Sequence, residues 1–356
     1  MVQLGGSDTI DATVGNASDV SSCFDNLPFG AGIMKTKPLG VTVTVLAGLS
    51  VAACGFGPVK TGSQDADTTY DISVVDTVLP VANQNKDLRL HISFPNSGGP
   101  FPLVLFSHGN GCTSAGYGPV TEYWAARGYV VIEPTHLDSR SLGPTDFSKM
   151  AEISDSRVED LSFILDSLDH ITAQVPGLAG KMNADRVASA GHSMGSATAL
   201  SASGLRAKNA DGSLRTGDDR FDVAVLLSGP GPMPSIPDDA WGDYRTPSIV
   251  TTGTNDYTQT NRNKPEGWKW RLGSYNLTPD GDKYALVVQD YDHFLGGYIC
   301  DRPGVEGPPD TEALTLVRTA TSAFLDAYLK DDLSALAFLS SGEMNRQNER
   351  ADLRAK

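Results

Sequence analysis

Cations are scarce in this chain of 356 residues: Lys and Arg together number 28 against 43 Asp and Glu, for a net charge of −15. So acidic a surface repels phosphate backbones and anionic lipid headgroups alike, which excludes nucleic acid as an expected partner. Cysteine is rarer still, at 4 residues, with no paired C-x-x-C. No H-E-x-x-H and no phosphate-binding glycine loop occurs either, so no metal, nucleotide or other cofactor is implied. Tracts of disordered composition are missing after about residue 65, and no internal repeat is present. What remains is 40% hydrophobic residues with 37 Gly and 21 Pro, the composition of a globular domain with many tight turns.

The first fifth of the chain, roughly, divides before any fold is reached. Residues 34–54 read MKTKPLGVTVTVLAGLSVAAC, two lysines followed by an apolar stretch that closes on Val51-Ala52-Ala53-Cys54. This is the layout of a signal peptide, and its close resembles the lipobox of bacterial lipoproteins. The resemblance implies cleavage before Cys54, a diacylglycerol on that thiol and an exported, periplasmic protein held at the membrane only by its anchor. An ordinary secretory signal cleaved nearby is the plainer alternative. Residues 1–33 are expected to be an upstream extension, 34–53 the signal, and 54–69, rich in Gly, Ser, Asp and Thr, a tether. A folded domain over 70–340 and a tail over 341–356 complete the expected organisation.

Within 70–340, short apolar runs alternate with amphipathic stretches: Leu103–Phe106, Tyr129–Ile132, Val187–Ala190, Val223–Leu227, Ile249–Thr251 and Ala285–Val288. Runs apolar on both faces predict buried strands of a mostly parallel sheet, with 71–94 a leading antiparallel pair. Val158, Leu161, Ile164, Leu165, Leu168 and Ile171 recur at helical spacing, and Ser156 with Glu159 predicts a capping box at that helix's start. Leu314, Val317, Thr321, Phe324 and Tyr328 predict a last helix over about 311–330. Strand and helix alternating in this way imply a three-layer α/β domain. Residues 205–220 are polar and expected as a surface excursion, whereas 229–246 and 257–283 carry Trp241, Trp268 and Trp270. Those tryptophans could line a substrate cleft or could equally plug the edge of the sheet.

Gly191-His192-Ser193-Met194-Gly195 matches G-x-S-x-G, a pattern common by chance, so its context decides. It follows the strand-like RVASA and opens the small-residue helix GSATAL, as a nucleophile elbow requires. A serine hydroxyl needs a base to take its proton. Of the 6 histidines only His293 lies beyond Ser193, after the last apolar run, so it is the expected base. Asp256, after the run 247–252 and the turn at Gly253, is the expected orienting acid. Asp243, Asp290 and Asp292 compete for that role. An oxyanion needs two backbone donors; the Met194 amide is one, and Asn110 in the loop Ser107-His108-Gly109-Asn110-Gly111 is the expected second. His192 is expected to be a packing residue.

Assembled, these segments resemble the branch of the α/β-hydrolases that holds platelet-activating-factor acetylhydrolases and dienelactone-hydrolase-like esterases. Phe106–Gly109, Gly191–Gly195, Gly253–Asp256 and Asp292-His293-Phe294 carry the likeness over about residues 70–330. It implies the α/β-hydrolase fold, with aromatic loop insertions near the active site. The lipobox, the serine elbow and the stretch Trp268–Asn276 (WKWRLGSYN) are similar, more narrowly, to the oxidised polyvinyl alcohol hydrolases. That likeness implies an oxidised polymer or small-molecule substrate whose β-diketone is cleaved at a carbon–carbon bond to a methyl ketone and a carboxylic acid. Trp241, Trp268 and Trp270 would hold the chain, and no obligate protein partner is implied. A carboxylesterase using the same three residues is one alternative; a non-catalytic binding lipoprotein is another. Of the remaining thiols, Cys112 and Cys300 each lie beside a segment of the expected site. An oxidising compartment predicts a bridge between them, against the alternative of two unpaired core cysteines.

Overall fold

The computed structural model describes residues 69–81, 86–301 and 308–356, so the expected signal segment and the lipidation position Cys54 lie outside the described residues. The strands run β1 (Ile72–Val81), β2 (Lys86–Pro95), β3 (Phe101–Ser107), β4 (Val130–Pro134), β5 (Met182–His192), β6 (Ala207–Lys208), β7 (Leu214–Arg215), β8 (Val223–Leu227), β9 (Ser248–Asn255), β10 (Lys283–Asp292) and β11 (Ala351–Ala355). All but β6 and β7 join one nine-stranded sheet in the order β1-β2-β4-β3-β5-β8-β9-β10-β11. From β4 to β10 the pairs are parallel; β1 with β2, β2 with β4 and β10 with β11 are antiparallel. This is the α/β-hydrolase fold.

The helices are α1 (Gly118–Ala125), α2 (Met150–Asp166), α3 (Leu168–Gln174), α4 (Met194–Ala202), the single turns α5 (Ala240–Asp243) and α6 (Gly273–Asn276), then α7 (Thr311–Leu329), α8 (Leu333–Ser340) and α9 (Glu343–Gln347). Strand residues alternate between two cores. Val104 and Phe106 of β3 join Trp124 of α1 and Phe324 of α7, while Leu103 and Leu105 join Leu161 and Ile164 of α2. That division explains why the central strands are apolar at every position. Phe106 is fully buried, so its replacement by alanine would cost about 3–5 kcal/mol.

Two expectations about the chain's elements are corrected, and the surface excursion over 205–220 takes a definite form. Helix α2 starts at Met150 rather than at Ser156, because buried Ile153 carries the apolar face one turn further back; Ser156 and Glu159 lie inside the helix. The segment expected as a tail carries α9 and β11, and Ala351 and Leu353 of β11 alternate inward against β10. The polar excursion forms the hairpin of β6 and β7, whose Ala207 is buried.

Candidate active site

The nucleophile position is built by β5, which delivers its end at His192 and turns at once into α4. Ser193 sits at that turn with φ 54° and ψ −113°, a left-handed conformation that costs energy and is held only because its surroundings fix it. Gly191 and Gly195 make the turn possible: a Cβ on Gly195 would overlap the Ser107 carbonyl, and one on Gly191 would overlap the Gly195 carbonyl. The Ser193 amide donates to the Leu227 carbonyl of β8 at 2.9 Å, which ties the turn to the neighbouring strand. The result lifts the Ser193 hydroxyl out of the sheet at the start of a helix, where backbone N–H groups point toward developing negative charge.

Strand β10 ends at Asp292, whose carboxylate accepts from the Phe294 and Gly296 amides at 2.8 and 2.9 Å and so shapes the loop that carries His293. Strand β9 ends just before Asp256. The structure brings these three together: His293 Nε2 lies 2.9 Å from Ser193 Oγ, and His293 Nδ1 lies 2.7 Å from Asp256 Oδ1. A carboxylate only accepts, so Nδ1 carries the proton and Nε2 is free to accept from the serine hydroxyl. The other acids are placed otherwise, Asp292 as the loop's cap and Asp243 against Arg206 at the surface.

Electrostatics follow from burial. Burial alone would raise the Asp256 carboxyl, yet His293 and Arg271 facing it hold it far below the usual carboxylate range. Burial pushes His293 below its ordinary 6.5, and Asp256 recovers only part of that shift, so the imidazole is neutral and ready to accept a proton at pH 7. Arg271, invisible to sequence reasoning inside the aromatic stretch, lies with Nε 3.3 Å from Asp256 Oδ1 and donates to the Ser228 carbonyl and to Thr258 Oγ1.

Asn110 and Met194 line the same cavity as Ser193, a space of about 530 Å³. The loop bearing Asn110 is pinned on both sides. Gly109 N–H donates to Tyr117 Oη at 2.9 Å, and Gly111 N–H donates to Asp138 Oδ2 at 3.3 Å. Asp138 is in turn gripped by the fully buried Arg157 through Nε at 2.8 Å and Nη2 at 2.6 Å, which lowers its carboxyl to about 2 against the cost of burial. A disulfide between Cys112 and Cys300 closes the loop against the segment that follows His293. A second line of Ser107, His136 and Asp160 repeats the spacing, with Ser107 Oγ 2.9 Å from His136 Nε2 and His136 Nδ1 2.9 Å from Asp160 Oδ2. It is sealed, with Ser107 Oγ accepting from Arg157, and serves as scaffold beneath the loop.

The tryptophans divide. Trp270 lines the cavity, with Nε1 donating to the Pro232 carbonyl at 3.2 Å. Trp241 is buried among Leu200, Leu205 and Tyr244 beneath the cavity, and Trp268 packs against that same cluster. Neither is among the residues that line the cavity. The β6–β7 hairpin, through Ala207, Lys208 and Arg215, forms its far wall instead.

The fold and this constellation define a serine hydrolase of the α/β-hydrolase class. A family model described as chlorophyllase matches residues 63–215, a span that holds the Asn110 loop and Ser193 but ends before Asp256 and His293. Among solved structures, a ferulic acid esterase from Streptomyces cinnamoneus superposes with a TM-score of 0.53 at 20% identity, covering 74% of this chain and 91% of that one. At that identity the likeness shows the fold alone. No curated protein matches the chain.

Proposed function

We propose that this protein hydrolyses carboxylic esters through a covalent acyl-enzyme on Ser193. The observation that carries the proposal is the line from Ser193 Oγ through His293 to Asp256, with links of 2.9 and 2.7 Å, at the wall of the cavity. His293 Nε2 takes the serine proton as Oγ attacks the ester carbonyl. The oxyanion accepts from the Met194 and Asn110 amides, and the imidazolium, steadied by Asp256, returns the proton to the departing alkoxide. Water then attacks the acyl-enzyme with His293 again as base, releasing the acid. The likeness to chlorophyllase supports a hydrolase of the esterase type.

A second reading has one observation of its own. In a β-diketone of oxidised polyvinyl alcohol, the bond from the attacked carbonyl to the central carbon breaks and an enolate leaves. His293 protonates that enolate carbon to give a methyl ketone. An enolate needs a donor at the second carbonyl oxygen, and Arg271 lines the cavity with three of its five N–H groups directed at Asp256, the Ser228 carbonyl and Thr258 Oγ1, which leaves two to offer. Export and a lipid anchor on Cys54 belong to both readings, and the Cys112–Cys300 disulfide supports an oxidising compartment for them.

Turnover of p-nitrophenyl esters and of a simple β-diketone, side by side with Ser193→Ala, tests these readings. Ester hydrolysis alone, lost in the variant, supports the first; diketone cleavage lost in the variant and in Arg271→Gln supports the second. Activity that survives Ser193→Ala overturns both.

A further inference from the structure

Between the oxyanion loop and the base lies a buried pair that the triad chemistry does not use. Tyr117 and His192 are both fully buried, with ring centroids 5.6 Å apart. Gly109 N–H reaches Tyr117 Oη at 2.9 Å, Tyr117 Oη lies 2.9 Å from His192 Nδ1, and His192 Nε2 lies 2.9 Å from the backbone carbonyl of His293.

The two ends of this line fix every proton in it. An amide nitrogen only donates, so Tyr117 Oη accepts from Gly109. A carbonyl only accepts, so His192 Nε2 carries a hydrogen. A neutral imidazole then has Nδ1 as acceptor, and the tyrosine hydroxyl donates to it. All donors and acceptors match in one direction. Burial holds the tyrosine proton on and keeps His192 uncharged, so the polarity does not reverse within the working pH range.

We propose that Tyr117 and His192 are positioning residues that hold the second oxyanion amide and the catalytic base in register with one another. The inference rests on the serine-hydrolase reading. Asn110 is fixed through the amide of its neighbour Gly109, and His293 through its own carbonyl, so one rigid chain sets both partners of the transition state. The His192 ring also packs against the His293 ring at 4.6 Å between centroids. Glycine at 109 is part of the same device, since a Cβ there would lie 3.0 Å from both Tyr117 Oη and His192 Nδ1 and 3.1 Å from Cys112 Sγ. Neither residue touches substrate. Their contribution is to geometry needed only in the transition state, where small misplacements are costly.

The test uses the whole protein and p-nitrophenyl butyrate. Tyr117→Phe removes a single oxygen, His192→Leu removes both bonds of the ring, and His192→Gln keeps an N–H donor and a carbonyl acceptor. Expected are a fall in kcat of about tenfold or more in Tyr117→Phe and His192→Leu with KM within about twofold, as for an interaction made in the transition state. The double variant is expected to be no worse than the weaker single one, because each change breaks the same chain. His192→Gln is expected to recover part of kcat. Wild-type kcat in Tyr117→Phe overturns the proposal, as do losses that multiply in the double variant or that merely follow the melting temperature. If Ser193→Ala retains full turnover, it is the underlying hydrolase reading that has failed.

Discussion

Cys112 and Cys300 stand 188 residues apart in sequence and are joined by a disulfide that fastens the loop of Asn110 to the segment following His293. Cys300 N–H also donates to the Gly116 carbonyl at 2.9 Å, and Thr113 Oγ1 donates to Asp301 Oδ2 at 2.9 Å, so the two segments meet over several residues. Cys300→Ser is therefore expected to lower stability by about 2–5 kcal/mol and to reduce kcat more than KM. Urea melts and steady-state kinetics on the oxidised protein and the variant check this; equal kcat in both would deny the bridge a part in shaping the site.

The base sets the pH dependence. His293 must be neutral to accept the serine proton, and burial lowers it below 6.5, so kcat/KM should rise along an acid limb centred below that value and be flat at pH 7–8. Arg271 pushes His293 in the same direction, and Arg271→Gln removes that push. The acid limb of the variant is expected to move to higher pH. A limb that stays in place, or moves lower, contradicts the role given to Arg271.

Much of this site was legible because the fold fixes chain order. Ser193 is readable from an elbow between an apolar strand and a small-residue helix, His293 from being the lone histidine beyond it, and Asp256 from its place just past an apolar strand; the turn expected at Gly253 is absent, because Gly253 lies inside β9, where a Cβ would press on the Tyr291 carbonyl. Residues that act through tertiary contact left no such mark. Arg271 sits in an aromatic stretch whose spacing says nothing of Asp256, and Tyr117 is joined to His192 only after β3, β5 and α1 have packed. Trp241 and Trp268 read alike with Trp270 because loops carry no periodicity to show which face is covered. Strand β11 is hidden in the sequence because five residues give too short an alternation to separate from a tail.

Glu133 of β4 is fully buried, and burial, with the charges of Glu122 and Asp76 adding to it, raises its carboxyl well above the ordinary range although the Thr121 hydroxyl facing it pulls the other way. The folded protein then holds a proton that the unfolded chain gives up at lower pH. Stability must fall as pH rises from the unfolded value through the folded one. Glu133→Gln, which cannot ionise, is expected to match the wild type near pH 4 and exceed it at pH 8 by on the order of 1 kcal/mol. Denaturant midpoints at the two pH values decide; a variant less stable at pH 8 would mean that the neighbours of the carboxylate outweigh its burial.

Gly195 tolerates no side chain, because its Cβ would press on the Ser107 carbonyl backbone. Gly195→Ala should cost about 1–3 kcal/mol or more and displace Ser193 from His293. Circular dichroism melts beside esterase assays measure both; a stable, fully active variant would mean that the elbow is looser than its geometry.

Every step of the proposed chemistry requires Ser193 to be the activated nucleophile. Intact-mass measurement of the folded protein after brief exposure to a fluorophosphonate, followed by peptide mapping, tests that alone. One adduct on Ser193, absent in Ser193→Ala and slowed by orders of magnitude in His293→Ala, is the predicted result. Folded protein that takes no adduct, or takes it on another residue, would contradict the account.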